Sequence, residues 1–333
     1  MPQGRLVDMQ ETSLQKKPGF LYRISHSYYK PEIFAGVGLV ALSVILSFAT
    51  PYFLNSNNLI NLARQISLYA IIASGMTFVI LTGGIDLSVG SIVAVTGTFA
   101  AGFMKSGMPV SLSVLLGLLI AVVFGVFNGL VISNTRIPPI IVTLSTMSIG
   151  RGAALLYSNG YPISGLPSTF TSFGRGYLGP LPIPVYVMVA IFILTYIVIT
   201  NTRFGRYVYA LGGSEETVRL SGIAVKKIKT LVYAISGLLA GISGLLLASR
   251  LGSGQPLAGD GWELDAIAAV VVGGTDIAGG RGTIIGTIIG AFIIGVLNNG
   301  LNLLNVSPYL QLVVKGFVII GAVLVRAGVV RNK

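Results

Sequence analysis

The sequence predicts an all-α polytopic membrane protein of about ten transmembrane helices, with two broken Gly-rich hairpins among them. Three observations point there. Hydrophobic residues make up 53% of the 333 residues and charged residues only 10%, whereas soluble domains carry roughly 25% charged residues. Apolar runs of about 17 to 22 residues recur along the chain, close to the roughly 20 needed to cross the hydrocarbon. Two polar, glycine-dense stretches then interrupt this pattern: LTGGIDLSVGSIVAVTG (Leu81 to Gly97) and GGTDIAGGRGTIIGT (Gly273 to Thr287). Placing Gly83 on Gly273 superposes Gly84 on Gly274, Asp86 on Asp276 and Gly90 on Gly280. Polar backbone at membrane depth is tolerated only where protein or water covers it. Its recurrence in two halves of a chain points to a transport pathway.

Residues 1–30 are polar and are read as a cytoplasmic N-terminal segment. The next apolar run lacks a small-x-small cleavage signal, so it reads as a first helix rather than a signal peptide. Residues 31–326 form the transmembrane domain and 327–333 a cytoplasmic tail. Spans are expected near 33–50, 65–82, 89–104, 112–133, 138–157, 184–200, 230–249, 263–275, 283–300 and 308–326, the eighth too short to cross fully. The 44 glycines suit close helix packing in lipid.

Positive charge orients the spans. With the N-terminus inside, sixteen Lys and Arg residues fall on cytoplasmic segments, and only Arg64, Lys105, Arg175 and Arg250 fall outside. Arg151 and Lys315 lie within spans, without an assignable partner. Both termini are therefore expected in the cytoplasm. The net charge of +12 flanks apolar spans and forms no stripe, which argues against nucleic acid as a partner. There is no cysteine and a single histidine, His26, so thiol chemistry and a histidine-based metal or catalytic site are not expected.

Two outer loops, 158–183 and 251–262, and one inner loop, 201–229, connect the spans. In the inner loop Ser214 is a good N-cap, and Glu215 and Glu216 suit the positive end of a helix. Thr217, Val218, Leu220 and Ile223 make a short apolar stripe, and Gly222 ends the turn. A solvated connector and a docking knob for a cytoplasmic partner are both open readings.

Of the ten acidic residues, Asp86, Asp276, Glu263 and Asp265 lie near spans. A carboxylate at the bilayer centre costs roughly 2.5–3.5 kcal/mol on insertion scales, which calls for a role or a partner. Asp86 and Asp276 either couple transport to a cation or accept hydrogen bonds from their own glycine-rich turns. Asn128, Asn298, Asn299 and Asn302 face the same choice between contacting a hydroxyl-rich solute and bonding neighbouring helices. Asp86, Ser88 and these four asparagines are the candidate substrate pathway. No phosphate loop, nucleophile elbow or metal-ligand cluster is present, so no catalysis and no cofactor are expected.

Three stretches carry a family resemblance: GMTFVILTGGIDLSVGS (Gly75 to Ser91), NTRFGRYVYALGGSEETVRLSGI (Asn201 to Ile223) and ELDAIAAVVVGGTDIAGGRGTIIGT (Glu263 to Thr287). They resemble the ribose-type permease subunits of bacterial sugar ABC importers, and GVLNNGLNLLNVSPYLQLVVKG (Gly295 to Gly316) resembles the ribose permeases in particular. The resemblance implies a multi-pass protein of the bacterial cytoplasmic (inner) membrane that works as a homodimer in lipid. Its other partners would be a cytoplasmic ATP-binding subunit and an extracytoplasmic sugar-binding protein. The family's coupling helix would fall at Gly213, Ser214, Glu215, Glu216, Arg219, Leu220, Gly222 and Ile223. Ribose is the expected substrate, with galactose, xylose or autoinducer-2 as alternatives within the class. An ion-coupled secondary transporter, resting on Asp86 and Asp276, is the competing mechanism. A receptor without transport gains nothing from paired hairpins.

Overall fold

A computed structural model describes residues 30–331, and the chain is helical almost throughout this range. The expected N-terminal segment, apart from Lys30, and the last two residues lie outside it. Seven described helices are long and apolar enough to cross a membrane. They are α1 (Lys30–Ala49, apolar from Glu32), α2 (Ser56–Leu81), α4 (Val110–Asn134), α5 (Pro139–Ser158), α7 (Ile183–Asn201), α10 (Val225–Leu251) and α12 (Ile284–Leu303). The other expected spans are α3 (Val89–Lys105), α11 (Trp262–Val272) and α13 (Pro308–Arg331). With 11 residues, α11 is only about 16 Å long at 1.5 Å per residue, about half the hydrocarbon thickness.

Helix boundaries follow local chemistry. α2 begins nine residues before the expected 65, because the Asn55 side chain accepts the Asn57 N–H at 2.9 Å and caps a polar first turn. Pro139 and Pro184 stand in the first turns of α5 and α7, where a missing N–H costs nothing. α13 continues to Arg331, past the expected end at 326.

The core is built on α2 and α10. Every α2 residue from Ile66 to Leu81 is buried. Along α4 the buried positions are Ser113, Gly117, Ala121, Gly125, Asn128, Gly129 and Ile132, a stripe of mostly small residues that lets α10 approach closely. The outer faces of α1, α4, α5 and α7 present large apolar side chains such as Phe34, Phe48, Phe127 and Leu194, as a lipid-facing surface requires.

The two loop regions expected outside are more structured than their composition suggests. Segment 158–183 holds a short helix, α6 (Ser168–Arg175), and a two-residue hairpin of β2 (Tyr177–Leu178) with β3 (Leu181–Pro182). Segment 251–262 connects α10 to α11, as expected of a loop, but part of it is packed into the protein. β1 (Ile163–Ser164) pairs antiparallel with β4 (Ser253–Gly254), and Ser253, Gly254, Pro256 and Gly259 are buried. Buried carbonyls need donors, and Arg151 on α5 supplies two. Its Nη1 donates to Pro256 O at 3.0 Å and to Ala258 O at 2.8 Å. Asp260 stands 3.9 Å away as a weak countercharge. This accounts for an arginine within an apolar span.

Candidate functional site

The two broken hairpins end their first helices by the same device. At the end of α2, the Gly83 N–H donates to Ile80 O and the Gly84 N–H to Val79 O; at the end of α11, the Gly274 N–H donates to Val271 O and the Thr275 N–H to Val270 O. Gly83 and Gly274 have φ of 76° and 98°, the left-handed geometry that closes such a cap and favours glycine. The conformational equivalence is therefore Gly83 with Gly274. It stands one residue out from the sequence superposition that pairs Gly83 with Gly273. Asp86 and Asp276 remain alike in one respect: each accepts the N–H two residues on, Ser88 at 3.0 Å and Ala278 at 3.1 Å.

Asp86, Ser88 and Asn128 come together in a closed network with no exposed surface. Ser88 Oγ donates to Asp86 Oδ1 at 2.6 Å, and Ser236 Oγ on α10 donates to Asp86 Oδ2 at 2.8 Å. Asn128 Nδ2 on α4 donates to Ser88 Oγ at 2.9 Å. The carboxylate thus accepts three bonds and ties the first hairpin to α4 and α10.

The other three asparagines lie together on the last turns of α12, but each meets a different partner. Asn299 and Asn58 exchange amide bonds of 2.8 and 3.0 Å, joining α12 to α2. Exposed Asn302 accepts from Gln311 Nε2 at 2.9 Å. Buried Asn298 donates to Asp265 Oδ2 at 3.4 Å, and Lys315 Nζ on α13 meets the same oxygen at 3.0 Å. The Asp265–Lys315 pair is a polar centre that sequence reasoning missed. Each charge was visible inside an apolar run, but the residues stand 50 positions apart and only packing pairs them. Tyr69 lies on the same flank of α2, its ring edge-on to Trp262 at 4.8 Å.

The expected coupling segment forms a two-helix unit, of which only the second helix was foreseen. α8 (Arg203–Gly213) is capped by Thr202, whose Oγ1 accepts the Gly205 N–H, and Phe204 stacks on Phe78 of α2. α8 ends against both hairpins. A Cβ on Gly212 would collide with Leu81 O and Gly280 N, and Tyr209 Oη donates to Gly282 O at 2.8 Å. α9 (Glu215–Leu220) follows, with Ser214 Oγ accepting the Thr217 N–H at 3.2 Å. Glu215 pairs with Lys229 of α10 at 2.5 Å, and Glu216 with Arg219 at 2.7 Å. That hydrogen bond and the Glu216 charge raise the pKa of the exposed Arg219.

The apolar stripe of this segment divides. Val218 is buried and Ile223 packs partly into the protein's own core, while Leu220 is 78% exposed. Glu216, Arg219, Leu220 and Gly222 thus form an outward surface on a unit whose inner side touches both hairpin turns.

Comparisons with known proteins agree with this architecture. Residues 58–323 match the family model described as branched-chain amino acid transport system / permease component. The chain is 50% identical over 290 residues to the ribose import permease protein of Bacillus subtilis, covering 86% of this chain and 90% of that protein. It is 48% identical over 293 residues to the ribose import permease protein of Escherichia coli K12, covering 87% and 91%. The D-allose transport system permease protein of Escherichia coli is 39% identical over 285 residues, covering 85% and 87%. No solved structure matches the chain. With most of its length matched and its apolar helices arranged around paired broken hairpins, the chain belongs to this family of transport-system permease components and is a multi-pass membrane protein, not an enzyme.

Proposed function

We propose that this chain is the membrane permease subunit of an ABC importer for ribose, in the cytoplasmic (inner) membrane. The observation that carries the reading is the identity of 48–50% to ribose import permeases over 86–87% of the chain. The family description names branched-chain amino acids, but the relatives quoted above carry sugar names. Two copies form the conduit, with both termini and the α8–α9 unit on the cytoplasmic side. A sugar-binding protein delivers substrate to the opposite face.

Energy comes from a separate ATPase docked on α9, since the sequence holds no phosphate-binding loop. Leu220 and the neighbouring ion pair are its contact. α8 carries the motion to both hairpins, because it touches both. A transport cycle needs two states that nucleotide biases differently. The Asp86 network and the Asp265–Lys315 centre are the polar anchors about which the hairpins move, and they border the substrate pathway. Asp86 accepts three protein donors, an arrangement that argues against a cation-coupling role.

The test is ATP-dependent uptake by vesicles containing the permease, its ATPase and its binding protein. The competition panel holds ribose, allose, xylose, galactose and leucine. Ribose is expected to compete best. Uptake by the permease alone under a proton or sodium gradient would overturn the reading, and preferential competition by leucine would move the substrate to amino acids.

A further inference from the structure

Residues 282 and 283, where the second hairpin runs into α12, are held from two sides. On one side the Tyr209 hydroxyl of α8 donates to Gly282 O at 2.8 Å. On the other, Thr283 Oγ1 donates to Glu32 Oε1 of α1 at 2.7 Å. We infer that Glu32 is a positioning residue for transport. It keeps the start of α12 on α1, so that a displacement of α8 moves α1 and α12 as one body and is not spent at the junction. The inference rests on the proposed importer function, in which α8 carries the motion of the ATPase.

Three features carry it. The first is the double use of one hydroxyl. Thr283 is the N-cap of α12, and its Oγ1 accepts the Gly286 N–H at 3.0 Å while donating to Glu32. Glu32 itself stands in the first turn of α1, so one bond ties the starts of two helices. A carboxylate there also lies beside the positive N-terminal end of α12.

The second feature is that a hold on Thr283 is a hold on the whole hairpin. A Cβ on Gly286 would collide with Gly273 O, and one on Gly290 with Ala269 O. The arms α11 and α12 therefore pack backbone against backbone and cannot slide apart. At the far end of α12, Leu46 of α1 lies against Gly300, so the two helices meet at both ends and Glu32 is the polar contact at the α8 end.

The third feature is the contrast between the hairpins. The first is anchored from within, by the Asp86 carboxylate that reaches Ser236 of α10 and, through Ser88, Asn128 of α4. Asp276, in the matching place, is half-buried and accepts the Ala278 N–H of its own turn. Glu32 gives the second hairpin a carboxylate anchor supplied by a different helix.

The test uses the complete complex of permease, ATPase and binding protein in vesicles, with ribose moved and ATP hydrolysed measured together. Glu32→Ala is expected to lower ribose moved per ATP about tenfold, the scale of one hydrogen bond to a charged group, with the ATPase still bound. Glu32→Gln keeps an acceptor for Thr283 and should recover much of the ratio. Thr283→Val should act like Glu32→Ala, and the double variant should fall no further, since both remove the same bond. Ser47→Ala should match the parent, because that exposed hydroxyl donates to Val44 O of its own helix. A ratio at the parent's value in Glu32→Ala, with or without lost thermal stability, would overturn the positioning role. Losses that add in the double variant would overturn it too. Where Glu32→Ala does not insert, the cycle is run with Glu32→Gln and the same criterion holds. A parent complex that moves no ribose with ATP would overturn the importer reading, whereas normal transport by the parent beside an unchanged ratio in Glu32→Ala leaves that reading intact.

Discussion

The Gly280 N–H donates to Leu81 O at 2.9 Å, so the turn of the second broken hairpin is bonded directly to the last residue of α2 in the first. Gly212 of α8 abuts both atoms of that bond. The two repeats and the α8–α9 unit thus meet at one point, where a displacement of α8 acts on both hairpins together.

A side chain at Gly212 should therefore disturb coupling. Overpacking at a tight site costs about 1–3 kcal/mol. Gly212→Val is expected to leave the permease inserted and ATPase-bound but to lower solute uptake per ATP hydrolysed severalfold. Uptake and hydrolysis measured together in vesicles check this. An unchanged ratio would mean that α8 does not carry the motion.

Leu220 is the outward apolar residue of α9 and makes no contribution to the protein's own core. Leu220→Asp should lower co-purification of the ATPase while thermal stability of the permease changes by no more than about 0.5 kcal/mol, as for most surface substitutions. Val218→Asp, by contrast, places a charge in the buried face and should destabilise the permease itself. Crosslinking from a cysteine at Glu216 tests proximity to the ATPase directly.

Asp86 gathers Ser88 and Ser236 as donors. Asp86→Ala leaves both hydroxyls buried without their acceptor, at about 1–3 kcal/mol each. The expected result is a large loss of folded permease. Asp86→Asn should recover part of it. Where the protein survives, the dependence of uptake on external pH should match the parent, since this acid serves as an anchor. A pH profile displaced in Asp86→Asn would restore cation coupling.

The Asp265–Lys315 pair gives a double-mutant test. Asp265→Asn or Lys315→Met alone strands one charge at a largely buried site and should destabilise by roughly 3 kcal/mol or more. Asp265→Leu with Lys315→Met removes both charges and should recover much of the loss. Thermal unfolding in detergent reads the cycle.

The sequence by itself determined that the chain crosses a membrane, where most spans lie, and where the two hairpins break. Each of these depends on local causes. Apolar length, glycine at a left-handed helix stop and an acid two residues before a free N–H all act within a few positions. The Ser214 cap and the Gly222 stop were legible for the same reason.

Only the tertiary structure decided what those polar groups meet. Asp86 lies 150 residues from Ser236, and Asp265 lies 50 from Lys315, so no periodicity connects them. Segment 251–262 has the glycine and proline content of a surface loop, yet Ser253, Gly254, Pro256 and Gly259 are buried in it, and Arg151, 105 residues away from Pro256, supplies donors to the carbonyls of Pro256 and Ala258. The hairpin repeats align in sequence by their Gly-Gly pairs. They fold one residue out of that register because each helix stops where its own cap closes. Val218 turns inward and Leu220 outward for a reason also beyond local pattern: α9 has only six residues, and what it packs against determines which of its sides is buried.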